Sequence, residues 1–316
     1  MSDTIDFLID KLLQVPVLKG QITLYKDGCL LQTSLITYPL KHIELRNNCK
    51  KVKKSELPMD IQSICEEIQT GDGWVLLPDI FSQQIIEAAK DVVIKKEFEK
   101  ETDHSDNDAS QNNYSGLTWG LLSQGEVFVD IATHPLILGI CRKILGDRCR
   151  VSSISANTVV QGMVGQEPHL DYPYHRYMWP ATGYPATNIM SLTVVTLLTD
   201  FTPENGSTAL IPGSQLSPEH PDNKEEFYAR CQQVRGKAGD VMIIAGSLQH
   251  CAMPNKTDRP RSAILQQMVP IFVTPFEDIR GDKLEQNQDL RSILALDHEH
   301  PTLKYGTKKH RPIGQM

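Results

Sequence analysis

The 316-residue chain lacks the cysteine pattern of a disulfide scaffold or of a zinc–thiolate site. Its seven cysteines are an odd number, and no two of them are separated by only two residues, so we expect free thiols in a reducing compartment such as the cytoplasm. The chain also lacks a basic surplus, because its formal net charge is -7. Nucleic-acid binders usually carry excess lysine and arginine, so this balance argues against a nucleic-acid partner.

Long apolar runs and a basic leader are missing as well. No stretch is long enough to cross a bilayer, and Asp3 and Asp6 stand where a leader would need basic residues, so we expect no membrane partner. Three motifs of other chemistries are also absent, namely Gly-x-Ser-x-Gly, the glycine-rich phosphate loop and His-Glu-x-x-His. The remaining composition, with 40% hydrophobic and 22% charged residues, is that of an ordinary globular enzyme.

The sequence of the first half of the chain predicts helices that support a β-rich second half. Residues 1–55 are expected to form an appendage, with an amphipathic helix over 1–15 and a hairpin over 21–45, and residues 56–316 one functional unit. The polar stretch 99–116 predicts a mobile loop that serves either as a lid or as a solvated surface segment. Further helices are expected over 58–70, 81–98 and 134–145.

From Cys149 onward the pattern changes to short β-rich runs separated by Gly and Pro turns. Such a series predicts an antiparallel sandwich or barrel, so the fold class is mainly β with helical support. The runs are 149–161, 189–199, 208–212, 240–245 and 261–273.

Four His-x-Asp or His-x-Glu pairs are candidate metal ligands. A strand places such a pair on one face, because its side chains alternate with period two. Ten histidines and 39 acidic residues predict roughly one such pair by chance, so position must decide among the four. The pairs that begin at His42, His104 and His220 lie in the appendage hairpin, the polar stretch and a proline-containing turn. His169 and Asp171 lie in the β-rich half, and the sequence therefore favours them.

A third ligand and a cation follow farther along the chain. His250 comes just after an apolar run, and together with the pair it makes a set of two imidazoles and one carboxylate, which suits iron(II). Arg261 opens the next β-rich run, eleven residues after His250, where its guanidinium can pair with a carboxylate through two hydrogen bonds. Taken alone, each residue also fits an ordinary role, as a core histidine or a surface arginine.

These residues and their order resemble the phytanoyl-CoA dioxygenase-like family of iron(II)/2-oxoglutarate oxygenases. The resemblance runs from about residue 71 to about residue 273, and it includes His169, Asp171, His250 and the spacing to Arg261. Residues 72–78 resemble the first strand of the family, and residues 204–214 resemble its Asn-Gly…Pro-Gly-Ser segment.

The resemblance implies a double-stranded β-helix, an antiparallel jelly roll, that binds Fe(II), 2-oxoglutarate and O₂. Arg261 would hold the far carboxylate of 2-oxoglutarate, and a small metabolite would be hydroxylated, desaturated or cyclised at an unactivated C–H bond, in a biosynthetic pathway. Asn157 resembles a family residue that touches the co-substrate. Relatives often have a hydroxyl residue two positions after the distal histidine, where this chain has Ala252, so Thr193 or Ser262 is expected to take over that contact.

The substrate side is expected in the aromatic and cationic run that follows the metal pair. Tyr172, Tyr174, His175 and Arg176 would wall a pocket beside the iron, and Arg176 would anchor an anionic group. The same run also fits a packed surface loop in which Arg176 caps the aromatic rings. Trp119, which follows the polar stretch, would form the edge of a lid.

Three other functions stay compatible with this ligand set. A non-catalytic member of the fold would bind metal or metabolite as a sensor, and a peptide hydroxylase would use the same chemistry on a larger substrate. A zinc hydrolase would use the same three ligands, but it has no role for Arg261. The expected partner is a small molecule, and the expected assembly is a monomer or a homodimer.

Overall fold

The computed structural model of the chain describes residues 20–26, 29–35, 60–102, 116–172, 189–216, 219–277, 279, 288–296, 302–305 and 308–312. It divides into two compact units, Met1–Met59 and Asp60–Met316. In the first unit, β1 (Gly20–Lys26) pairs antiparallel with β2 (Cys29–Leu35), as the predicted hairpin requires. The helix predicted over 1–15 and residues 103–115 of the polar stretch lie outside the described residues, and the predicted domain boundary after residue 55 stays a prediction.

The second unit is built around two antiparallel sheets, which confirm the mainly β expectation. The six-stranded sheet has the order β3 (Trp74–Leu77), β9 (Val241–Ala245), β6 (Leu192–Leu197), β11 (Arg261–Val269), β5 (Arg150–Val159) and β4 (Gly116–Thr118). The three-stranded sheet has the order β10 (His250–Ala252), β7 (Thr208–Leu210) and β8 (Gln232–Gln233). A separate hairpin joins β12 (Thr302–Tyr305) to β13 (Lys308–Pro312).

Helices α1 (Ile61–Thr70), α2 (Gln83–Thr102), α3 (Glu126–Ala132), α4 (Pro135–Leu145), α5 (Lys224–Arg230) and α6 (Gln288–Ile293) complete the unit. Local chemistry sets their ends. The carboxylate of Asp60 caps α1 by accepting from the backbone N–H of Ser63, and α4 begins with Pro135 and ends at Gly146, whose φ is +96°. In the part of the chain that the structure describes, every helix is too short or too polar to traverse a bilayer.

The six-stranded sheet has two faces with different roles. On the outer face, Ile154, Val194 and Ile264 belong to the apolar core that includes the helices, and the side-chain amide of Gln266 donates to the carbonyl of Ala132 in α3. The inner face carries the alternate residues of each strand. Strands β6 and β9 are buried throughout, which explains why β9 is a continuous apolar run and why β6 carries no charged residue. Because the outer face packs against the apolar core, we expect a functional site among the polar side chains of the inner face.

Candidate metal centre

The two histidines of the candidate centre meet through strand pairing. His169 lies in the segment after β5, and His250 begins β10. Their backbones exchange both hydrogen bonds, with N···O distances of 2.9 and 3.1 Å. Directly paired residues of antiparallel strands present their side chains on one face, and the imidazole centroids here lie 4.5 Å apart. Gly165 permits this approach: its φ is +85°, and a Cβ there would lie 2.4 Å from the carbonyl oxygen of Ala252.

Asp171 completes a cluster that could hold a metal ion. Its Oδ1 lies 3.7 Å from Nε2 of His169, and its Oδ2 lies 3.5 Å from Nε2 of His250. The three ligand atoms all lie within 4.8 Å of one another. Each imidazole donates its Nδ1–H to a backbone carbonyl two residues earlier, at 2.7 Å to Glu167 and 2.8 Å to Leu248. These bonds fix the tautomer, so both Nε2 lone pairs face the centre.

The electrostatics favour the neutral imidazole that a metal needs. Burial lowers the pKa of His169, and the nearby imidazole of His250 lowers it further, against the opposing effect of the Asp171 carboxylate. Thr193 donates its hydroxyl to Oδ2 of Asp171 at 2.5 Å, which orients the carboxylate. The sequence predicts that the Thr193 hydroxyl contacts the co-substrate. In the structure this hydroxyl donates to Asp171, and its contact with the co-substrate stays a prediction.

Arg261 is a buried cation held by the neighbouring backbone. Its side chain is 2% exposed, and its Nε and Nη2 both donate to the carbonyl of Gly206, at 3.2 and 2.9 Å. Its Nη1 donates to Oδ1 of Asn157 at 3.4 Å, and its guanidinium carbon lies 4.7 Å from the ring centroid of Phe201. Burial lowers the pKa of Arg261 to about 10, which leaves the guanidinium charged at neutral pH. The structure therefore holds a rigid positive charge at this position.

One cavity joins the candidate centre to Arg261. Its volume is about 80 Å³, and because a single buried water needs roughly 10–15 Å³, it has room for several water-sized groups. Both sheets contribute to its wall, which is lined by Asn157, Gln166, His169, Asp171, Thr193, Val195, Thr208, Met242, Ile244, His250, Ala252, Arg261 and Leu265.

Two polar residues of this wall escaped the sequence analysis. The Oε1 of Gln166 accepts a hydrogen bond from the backbone N–H of Ala252 at 3.2 Å. Gln166 therefore places a polar side chain next to Ala252, the position at which relatives often have a hydroxyl residue. Thr208 lies on β7, inside the segment 204–214 that resembles the family, but a position on a short strand could not be assigned to a face from that resemblance. The proximity of Gln166 to His169, three residues later, was the available signal for the first.

The remaining predicted site residues lie in several places. Tyr172 donates its backbone N–H to the carbonyl of Gly246 at 3.0 Å, directly after Asp171, whereas Tyr174, His175 and Arg176 lie outside the described residues. Trp119 is 50% exposed and is absent from the described lining of the cavity. The hydroxyl of Ser262 lies 3.1 Å from that of Thr158, and Ser262 does not line the cavity either.

The competing His-x-acid pairs do not form a second cluster in the described part of the chain. His220 and Asp222 form a local couple, with Nδ1 and Oδ1 2.8 Å apart, and the aspartate is half exposed. The pairs that begin at His42 and His104 lie outside the described residues. Of the described pairs, the one at His169 is therefore the one that meets a third ligand.

Comparison with known proteins places these residues in a wider context. The family model described as Phytanoyl-CoA dioxygenase (PhyH) matches residues 70–263, which is more than half of the chain. The chain is 32% identical over 178 residues to Dioxygenase af480 of Aspergillus fumigatus, a match that covers 54% of this chain and 55% of that protein. It is 31% identical over 164 residues to Dioxygenase trt7 of Aspergillus terreus, covering 49% and 54% respectively. The chain thus spans about half the length of the curated relatives that it matches.

The fold has solved counterparts. The crystal structure of SnoK, described as a non-haem α-ketoglutarate-dependent carbocyclase from nogalamycin biosynthesis, matches with a TM-score of 0.52 and 20% identity, and the match covers 71% of this chain and 94% of that one. Identity at this level speaks for the fold alone. Together with the two antiparallel sheets, it confirms the expected jelly-roll core.

Proposed function

Because the chain belongs to the phytanoyl-CoA dioxygenase (PhyH) family, we propose that it is an iron(II)- and 2-oxoglutarate-dependent dioxygenase that oxidises a C–H bond of a small metabolite. The curated relatives af480 and trt7 carry the name dioxygenase, and SnoK is described as α-ketoglutarate dependent.

One observation carries the proposal: a single cavity contains both a His-Asp-His cluster and a buried arginine. Two imidazoles and one carboxylate fit iron(II), because this donor set leaves adjacent coordination positions free. A buried guanidinium is costly unless an anion pairs with it, and the described contacts of Arg261 are with neutral oxygens and a ring. A dicarboxylate that reaches from the cluster to Arg261 would supply that anion.

We assign the roles as follows. His169, Asp171 and His250 would hold the iron, while Thr193 keeps the Asp171 carboxylate in orientation. Arg261 would bind the far carboxylate of 2-oxoglutarate.

The polar atoms along the wall would complete the co-substrate site. Asn157 orients the Arg261 guanidinium, and Gln166 and Thr208 add hydrogen-bonding groups on the way to the cluster. Apolar wall residues such as Val195, Ile244 and Leu265 would exclude water. When bound, iron with 2-oxoglutarate and O₂ would supply the oxidising power, while the chain would position the reactants and exclude water.

The test is a substrate-independent measurement on the full chain. Anaerobic protein is titrated with iron(II) and then with 2-oxoglutarate, and the visible charge-transfer band of the complex is followed. We expect a saturable band in the wild type and its loss in Asp171→Ala, with the fold intact by circular dichroism. A wild type without the band would refute the proposal.

This titration, together with metal analysis and a succinate-release assay, separates the alternatives. A zinc hydrolase would retain zinc in anaerobically purified protein and show no response to 2-oxoglutarate. A sensor would show the band, but it would release no succinate with any compound of a metabolite library. A peptide hydroxylase would release succinate only with peptides.

A further inference from the structure

The inner face of the six-stranded sheet carries two buried serines whose hydroxyls the fold does not use. Ser153 is 7% exposed and Ser155 is 3% exposed, and the structure gives neither hydroxyl a hydrogen-bond partner among the described residues. A serine hydroxyl that bonds nothing in the described fold can both donate to and accept from a bound molecule.

Strand register places both serines beside the cavity. Ser155 lies opposite Leu265 of β11 and two residues before Asn157, and both of these neighbours line the cavity. Directly opposite residues of antiparallel strands share a face, with Cβ atoms about 4.5–5.5 Å apart. The Ser155 side chain is therefore on the same face as the cavity wall and adjacent to it.

Ser153 lies level with the candidate metal centre. It is opposite Gln267, which is in turn opposite Thr193, the residue whose hydroxyl bonds Asp171. Neighbouring strands are about 4.8 Å apart, so Ser153 lies about 10 Å across the sheet from Thr193. A molecule that bonds Ser153 and spans about 10 Å across the sheet would thus reach the edge of the metal centre.

Other hydroxyls on the same strands are hydrogen-bonded within the fold. The hydroxyls of Thr158 and Ser262 lie 3.1 Å apart, and the hydroxyl of Ser152 accepts from the backbone N–H of Phe276 at 3.2 Å. The fold therefore satisfies hydroxyls where they serve structure, and it leaves Ser153 and Ser155 available where the inner face meets the cavity.

We propose that Ser153 and Ser155 bind and orient the substrate through a neutral oxygen, so that the substrate is an uncharged molecule with a hydroxyl or carbonyl group. A serine hydroxyl both donates and accepts, which suits either group. The neighbours Asn157, Leu265 and Gln267 carry no charge, and the carboxylate of Glu277, which accepts from the backbone N–H of Ile154 between the two serines, would repel an anionic substrate. Arg261 has a different role in the proposed function, and this inference rests on that proposed function.

The inference makes a stability prediction that a structural role would not. Ser153→Ala/Ser155→Ala removes hydroxyls that bond nothing in the described fold, so the ligand-free protein should keep or raise its melting temperature. The matched control Ser262→Ala removes the partner of Thr158, so it should lower the melting temperature. A clear loss of stability in the double variant would show that the two serines serve the fold.

Binding is tested with three probes of similar shape: cyclohexanol, cyclohexanone and cyclohexanecarboxylate. Full-length protein loaded with zinc(II) and 2-oxoglutarate is titrated by saturation-transfer NMR. We expect the wild type to bind the alcohol and the ketone more tightly than the carboxylate. The double variant should lose about fivefold in affinity per hydroxyl for the alcohol and ketone, while Ser262→Ala keeps wild-type affinity.

Unchanged alcohol binding in the double variant, preference for the carboxylate, or no binding of any probe would each overturn the inference. The charge-transfer band of the iron(II) protein with 2-oxoglutarate distinguishes a failure of the substrate inference from a failure of the proposed function. If the wild type shows the band but no serine-dependent probe binding, only the substrate inference fails. If the wild type shows no band, the proposed function itself fails.

Discussion

Removal of the Arg261 guanidinium is the sharpest perturbation that the cavity offers. Arg261→Ala deletes three donor groups, which leaves the carbonyl of Gly206 without its two N–H donors and exposes the ring of Phe201 to a void. For the fold alone we expect a loss of about 1–3 kcal/mol, because a buried acceptor loses its partners.

The effect on the co-substrate is expected to be larger. Loss of one partner of a buried charge pair costs about 2–5 kcal/mol, which corresponds to a rise in the 2-oxoglutarate midpoint of roughly thirtyfold to several thousandfold. Arg261→Lys should recover only part of this, because an ammonium group cannot reproduce the planar fork that now bonds Gly206 and Asn157.

The assay is a 2-oxoglutarate titration of anaerobic iron(II) protein by its charge-transfer band, with iron affinity and melting temperature measured in parallel. Phe201→Leu is the matched control, since it removes the ring beneath the guanidinium but keeps the charge, and we expect a shift of no more than about thirtyfold. An unchanged midpoint in folded, iron-bound Arg261→Ala would refute the assignment of Arg261 to the co-substrate.

Three further predictions concern the frame of the centre. Thr193→Val keeps the volume but removes the donor to Asp171, so iron(II) affinity in a chelator competition should fall about 10–100-fold; equal affinity would contradict the positioning role. Gly246→Ala would place a Cβ 1.7 Å from Oγ of Ser191, so urea unfolding should show a loss of about 1–3 kcal/mol that Ser191→Gly largely restores. In metal-free protein, burial lowers the pKa of His169 below its ordinary value of 6.5. The contribution of the neutral imidazole to the free energy of unfolding should therefore be complete above pH 6.5 and decrease as the pH falls from there through the lowered pKa. His169→Gln should flatten that decrease, and an unaltered slope of the free energy of unfolding against pH would rule out this linkage.

The sequence by itself determined the chemistry of the candidate centre. Residue types carry ligand preference directly, so two imidazoles, one carboxylate and a following arginine could be recognised without coordinates. Period-two alternation and continuous apolar runs likewise predicted most strands of the six-stranded sheet, because burial on one face or on both leaves a readable pattern. Strand β10 was missed as an element: three residues, His-Cys-Ala, are too few to show a period.

Only the tertiary structure decided which side chains meet. His169 and His250 approach because their backbones pair across the two strands, and Asp171 receives the hydroxyl of Thr193 from a third strand. The pairing of β11 with β5 shifts by one residue between Gln267, which is opposite Ser153, and Met268, which is opposite Val151, so that Ser152 lies between two paired residues. A one-residue shift of this kind inverts every later side chain, and it arises from pairing between distant strands, so local sequence carries no signal for it.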